Sequence, residues 1–246
     1  MFIDVHAHLD SKEFRKPVSE LIDEARIAGL TTIINCGLNK ETNRSTQRLS
    51  EKYSIIKPAY GIYPIDAEQM SDSEVNQEIA WIRKQKPIAI SEIGLDGKWG
   101  KDIEKQIRVF RKMLELAIEM RVPVIVHTRQ AEEQCFNVIE STGIKKVVLH
   151  CFTGPKELIP RAITNKWSFS IPPVIVHDKS FAELVTQLKL GQLLTETDSP
   201  YLAPKRGTQN SPANVVLTIK KMAELKGLNA EEMRNIVFQN YQNLFW

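Results

Sequence analysis

Cysteine is scarce in this chain: Cys36, Cys135 and Cys151 are the only three among 246 residues. So small and odd a number excludes a disulfide framework and makes a reducing cytoplasm the expected setting. Long apolar runs are also missing. Nothing approaches the roughly 20 uncharged residues that a membrane-spanning helix needs. The opening Met1-Phe2-Ile3-Asp4 has neither a basic segment nor an apolar core, so no signal peptide is expected. Gly (11) and Pro (12) are too few for a fibrous or low-complexity chain. Nor is there a surplus of one charge: 33 Lys and Arg face 30 Asp and Glu, a net of +3. The total therefore does not announce a nucleic-acid binder, and any attraction to phosphate must be local. What remains, 42% hydrophobic and 26% charged residues, describes an ordinary globular chain with ample core material.

Short β-branched runs alternate with amphipathic stretches along that chain. Strands are expected at Phe2–His8, Thr31–Cys36, Ile56–Ile62, Ile88–Ile93, Val124–His127, Val147–His150, Trp167–Ile171 and Leu193–Thr197. Little polar alternation interrupts them, as in strands buried on both faces of a parallel sheet. Between them, Val18, Leu21, Ile22 and Ala25 follow Pro17 at helical spacing. Ile103 to Ile118 forms a longer stripe behind Asp102 as N-cap, Ser211-Pro212 opens another helix, and Asn229 with Glu232 has capping-box spacing. Asn39–Glu51 and Pro155–Thr164 are weaker helical segments. Eight such units in this length fit a single (β/α)8 TIM barrel with an extra C-terminal helix, one domain over residues 1–246. An open doubly wound sheet uses the same alternation, but no Gly-x-Gly-x-x-Gly follows the first strand to support its dinucleotide-binding form.

Metal-type side chains collect where these strands end. His6 and His8, two residues apart, share a strand face, with Asp4 in phase behind them as a supporting partner. Glu92, His127, His150 and Asp198 close four further strands, which places all six on one barrel rim, the usual seat of chemistry. Six imidazole and carboxylate ligands exceed the needs of one tetrahedral ion. They suit two divalent ions about 3.5–4 Å apart with Glu92 as bridge, a hydrolytic arrangement in which Asp198 can take the proton of the attacking water. Zn²⁺, Mn²⁺ and Mg²⁺ are all compatible with such ligands. Glu196, in phase with Asp198, points inward to orient a ligand. Cys151 is expected to face away from the site as packing, and His177 with Asp178 to start a helix.

The stretches Asp4-Val-His6-Ala-His8-Leu-Asp10, Ser91-Glu92-Ile-Gly-Leu-Asp96, Val124-Ile-Val-His127-Thr-Arg129, His150-Cys-Phe-Thr-Gly154 and Glu196-Thr-Asp198-Ser-Pro-Tyr-Leu-Ala-Pro204 resemble the TatD-like metal-dependent deoxyribonucleases. The resemblance implies an amidohydrolase-type barrel acting on DNA phosphodiester bonds. It further implies His6, His8, Glu92 and Asp198 around one ion, and Glu92, His127 and His150 around a second. Three departures bear on rate and substrate preference while leaving these ligands intact. Tyr63 stands where the family commonly carries His, and its pKa near 10 bars it from acid–base work at neutral pH. Asp96-Gly97-Lys98-Trp99 lacks the family's aromatic after Gly-Leu-Asp, and Ser211 replaces an expected Glu before Pro212.

Lys98, Lys101, Arg129, Lys156, Lys205 and Arg206 lie on loops of the same face, a local basic rim for phosphates. Arg129 can fork onto a phosphate and Trp99 can stack on an unpaired base. The expected activity is cleavage of DNA, with ends of single strands as substrate and no obligate protein partner. Two alternatives stay open at this level. One is amide or ester hydrolysis, for instance of D-aminoacyl-tRNA. The other is a catalytically quiet binding barrel.

Overall fold

Runs of Ile and Val build the inner wall of the molecule, because β-branched side chains pack well on a pleated surface covered from both sides. The structure, a computed structural model, describes residues Met1–Trp246. Its strands are β1 (Phe2–Ala7), β2 (Leu30–Cys36), β3 (Ile56–Tyr60), β4 (Ala89–Asp96), β5 (Val124–Arg129), β6 (Val147–His150), β7 (Ser168–Ile171) and β8 (Leu193–Thr195). They lie in chain order, each parallel to the next. Between them run α1 (Val18–Ile27), α2 (Lys40–Lys52), α3 (Pro64–Gln69), α4 (Asp72–Arg83), α5 (Ile103–Met120), α6 (Glu132–Thr142), α7 (Ile159–Thr164) and α8 (Lys179–Gln187). After β8 come α9 (Val215–Lys226) and α10 (Ala230–Phe245).

The expected caps form. Asp102 accepts from the Lys105 amide, and the Asn229–Glu232 box opens α10. Even the weak segment after Asn39 is a full helix, because the Asn39 side chain accepts from the amides of Glu41 and Thr42. Lys156–Leu158 is a short 3-10 turn leading into α7, and Pro212–Asn214 is another leading into α9. β8 and β1 end earlier than the apolar runs suggested, so His8 and Asp198 lie on the loops beyond them.

Two layers of core follow. Ile3, Val5, Ile34, Cys36, Ile125, Val148 and Leu194 fill the barrel interior, where Tyr241 and Phe245 of α10 join them. The larger outer cluster joins strands to the surrounding helices, with Phe110, Phe136, Trp167 and Phe169 fully buried. No helix is long and apolar enough to cross a membrane. No ladder pairs β8 with β1, and the barrel is closed there by single hydrogen bonds from β8 and the loop beyond it. The Asp198 amide donates to the His6 carbonyl at 2.8 Å, the His8 amide donates to the Ser199 carbonyl at 2.9 Å, and Thr195 Oγ1 donates to the Ile3 carbonyl.

Two glycines let backbone segments touch beneath the site. A Cβ on Gly61 would sit 2.4 Å from the Ser91 carbonyl carbon. Gly94 has φ +145°, and a Cβ there would meet the His127 carbonyl oxygen at 1.9 Å. Both backbone strain and steric overlap oppose a side chain at Gly94. Gly94→Ala is expected to lower stability by about 3 kcal/mol, read as a reduced urea midpoint at unchanged slope.

Candidate metal centre

Six side chains meet at the mouth of the barrel, and one carboxylate divides them into two groups. Glu92 Oε2 lies 3.4 Å from both His6 Nε2 and His8 Nε2, with Asp198 Oδ1 3.6 and 3.4 Å from those same nitrogens. Glu92 Oε1 turns the other way, 3.1 Å from His127 Nδ1 and 3.8 Å from His150 Nε2. The His6 and His8 Nε2 atoms are only 3.0 Å apart, and the His6 and His150 rings stack with centroids 3.9 Å apart. Ring nitrogens aimed this closely at one another, with two carboxylates facing them, form a donor set that suits cations. Three overlapping groups of these side chains bring their ligand atoms close enough to hold a metal ion: His6, His8 and Asp198; Glu92, His127 and His150; and His6, His150 and Glu196.

The opposite ring nitrogens show how the lone pairs are aimed. His8 Nδ1 is held by the Cys36 carbonyl at 2.9 Å, and His150 Nδ1 by Glu196 Oε2 at 2.9 Å. Each contact fixes a tautomer that leaves Nε2 free for the centre. His127 is arranged in reverse, its Nε2 meeting Asp96 Oδ2 at 3.0 Å and its Nδ1 facing Glu92. Asp96 therefore does two jobs at once, since its Oδ1 also accepts from the Lys98 and Trp99 amides to hold the following turn. Only the folded register shows them together.

Asp4 bonds no imidazole; it accepts from the His6 and Thr197 amides and from the Thr197 hydroxyl, tying β1 to the loop that carries Asp198. Two expectations are corrected. Cys151 packs against the outer core as expected, but it does not face away from the site. It follows β6 at φ +46°, lines the cavity and donates its amide to Glu196 Oε1. The basic rim is thinner than expected. Of its cations only Arg129 lines the cavity, and Lys156 pairs with Glu183. Lys98 and Trp99 stand outside the lining, with the lysine over the indole at 5.1 Å and Trp99 61% exposed. Tyr63 does line it, its hydroxyl 3.3 Å from Asp96 Oδ2 and 3.4 Å from His127 Nε2. Glu196 is where it was expected, and Asp178 caps α8 beside His177.

The electrostatics follow from burial. Burial alone would raise the Glu92 carboxyl, but the His127, His6 and His8 imidazoles around it prevail and hold it well below the usual carboxylate range. Burial would likewise depress His127, yet Asp96 and Glu92 keep it at about 9. Asp4 and Glu196, which have no cation of comparable weight, are pushed by burial up to about 8. Burial, with Glu92 and Asp96 adding to it, also drives the Tyr63 hydroxyl far above its ordinary value, so it is a fixed proton donor. The cavity over these groups measures about 830 Å³ and reaches from the centre to α2 and the loop after β1.

The family of TatD related DNases matches residues 3–246 of the chain. The chain belongs to that family. It is 33% identical to the uncharacterized metal-dependent hydrolase YabD of Bacillus subtilis, covering all of this chain and 99% of the relative. A 3'-5' ssDNA/RNA exonuclease TatD of Citrobacter koseri is 26% identical over 98% of each protein. Among solved structures, YjjV, a TatD homologue from Escherichia coli, superposes with a TM-score of 0.91 at 26% identity, covering 99% of this chain and 97% of that one. The TatD-family chain is an enzyme, a metal-dependent hydrolase, on a barrel shared with those relatives.

Asp4 supplies a test of the tie between β1 and the Asp198 loop. Asp4→Ala removes the acceptor of three hydrogen bonds and is expected to cost about 2 kcal/mol. Because the buried carboxyl already favours its neutral form, Asp4→Asn should restore most of that loss in thermal unfolding.

Proposed function

We propose that the enzyme hydrolyses phosphodiester bonds of single-stranded DNA from an end, using two divalent ions held by His6, His8, Glu92, His127, His150 and Asp198. The observation that carries this reading is the division of Glu92, whose two oxygens serve two separate imidazole groups. A single ion would leave one side of that carboxylate unused. Ions bound there supply Lewis acidity toward a water and toward the phosphoryl oxygens, with Zn²⁺, Mn²⁺ and Mg²⁺ as candidates.

The chain's own residues do the rest. Asp198, held by His8 and low in pKa, accepts the proton of the attacking water. Glu92 keeps both groups of imidazoles in register. Glu196 holds His150 and the Cys151 amide, with the Ser170 hydroxyl donating to the same carboxylate. Tyr63, whose hydroxyl donates to Asp96 here, turns that one donor to a phosphoryl oxygen when substrate binds and exchanges no proton. Arg129 is exposed in the cavity with no ion-pair partner, which suits a forked contact with the phosphate under attack. Lys98 and Trp99, on the same face but outside the cavity, meet only strand that emerges from it. All of residues 1–246 form this one catalytic unit, working in the cytoplasm.

The nuclease description of the family and of its exonuclease member supports this reading over amide or ester hydrolysis. The complete set of donors argues against a quiet binding barrel.

Cleavage of a 5'-labelled single-stranded oligodeoxynucleotide should require added Mn²⁺, Mg²⁺ or Zn²⁺ and stop with chelator. Asp198→Asn should lower kcat at least about a hundredfold. Full activity in chelator, or in that variant, would refute the assignment. Metal affinity should also depend on pH. His127 holds a proton up to about 9, and a ligating imidazole must lose it. Affinity for Mn²⁺ is therefore expected to weaken as pH falls from 9 to 6, with proton release on binding, both measurable by calorimetry in buffers of different ionisation enthalpy.

A further inference from the structure

The cavity is longer than the metal centre needs. Beyond His8 and Asp198 it continues as an arm between the loop after β1 and one face of α2. Helical spacing creates that face: Glu41, Ser45 and Arg48 fall at i, i+4 and i+7, while Asn43 and Thr46 turn inward and are buried. Asn43 bonds the Gly61 carbonyl and Glu78, and Thr46 accepts from Asn35, so the exposed face of α2 is fixed in rotation.

The arm's charges sort into engaged and free. Each carboxylate has a partner: Glu41 meets Lys12 at 3.3 Å, Glu13 accepts from the Tyr201 hydroxyl at 2.8 Å, and Asp10 accepts from Asn35 at 3.1 Å. Arg48 has none. Asp10 attracts it only from beyond ion-pair distance, and its guanidinium lies exposed in the lining. Arg48 and Arg129 are the two unpaired cations of the cavity, one on α2 and one at the end of β5. A forked, always-charged group left without a carboxylate in a cavity lined by polar side chains suits an anion with several oxygens.

We propose that this arm is a second subsite, in which Arg48 holds the non-scissile phosphate of a nucleotide neighbouring the one being cleaved. The proposal rests on the nuclease reading above and extends it. Arg129 serves the phosphate under attack, whereas Arg48 acts only on substrates that carry a further phosphate. Specificity for an oligonucleotide over a single nucleotide ester then resides on α2, away from the reacting atoms.

The test compares a pentadeoxynucleotide with thymidine 5'-(4-nitrophenyl phosphate), which has one phosphodiester and nothing to reach the arm. Arg48→Ala should raise KM for the pentanucleotide about tenfold while kcat changes less than twofold. The rise in KM for the small ester should be several-fold smaller. Anisotropy of a labelled pentanucleotide should show the same tenfold weakening, with a salt slope shallower by about 0.7, the value for one phosphate contact on a single strand. Arg48→Lys should keep the wild-type slope while recovering only part of the affinity. Equal losses on both substrates, or an unchanged slope, would overturn the subsite. If the wild type cleaves neither substrate, the nuclease reading falls, and the anisotropy still decides whether Arg48 holds phosphate.

Discussion

The seam between β8 and β1 is the contact on which both barrel and site depend. β8 is only three residues long, and closure is completed by the loop beyond it. The bonds that make the seam involve residues of the cluster and their neighbours: Asp198 to His6, His8 to Ser199, and Asp4 to Thr197. Closing the sheet therefore sets the spacing of His6, His8 and Asp198 within one hydrogen-bond network. The fold cannot relax at this point without opening the centre, and the centre cannot be moved without opening the fold. Asp198 itself adopts a left-handed backbone, φ +51°, a conformation that Asp tolerates better than most residues.

Across the barrel, Glu92 imposes the complementary constraint. It lies within β4 rather than at its tip, followed closely by Gly94, and the β4–β5 register shifts between Ile90 and Ile93. That irregularity, together with the approach permitted at Gly61 and Gly94, draws Glu92 among four imidazoles. The buried carboxylates then divide by surroundings alone. Glu92 and Asp198, which face imidazoles, are held ionised. Asp4 and Glu196, which face amides, hydroxyls and a single ring, lean toward the neutral form. Four acids in one buried region thus take two different electrostatic parts.

Much of this was legible from the sequence. Strand order and the rim positions of His6, His8, His127 and His150 followed from apolar runs ending in imidazoles, since parallel strands buried on both faces leave few other readings. Glu196 was in phase with Asp198 and does orient a ring. What could not be read were the places where backbone leaves its period. A positive φ at Cys151 brings it to the cavity, where strand alternation would have turned it away. Tertiary distance hid the rest: Cys36 offers His8 only its carbonyl, which every residue possesses. The rim lysines misled for a further reason, because a cation on a loop has no preference between a cavity and open water until the loop is placed.

The packing of α10 has a topological consequence for any polymer the enzyme handles. Tyr241 and Phe245 lie against the interior side chains Ile3, Val5, Ile125 and Val148, so the barrel is a filled plug rather than a tube. The cavity lies on the face that carries the imidazoles, and nothing passes along the barrel axis. A polymer therefore meets the cluster from that face alone, along the cavity between α2 and the loop after β1 rather than down the barrel.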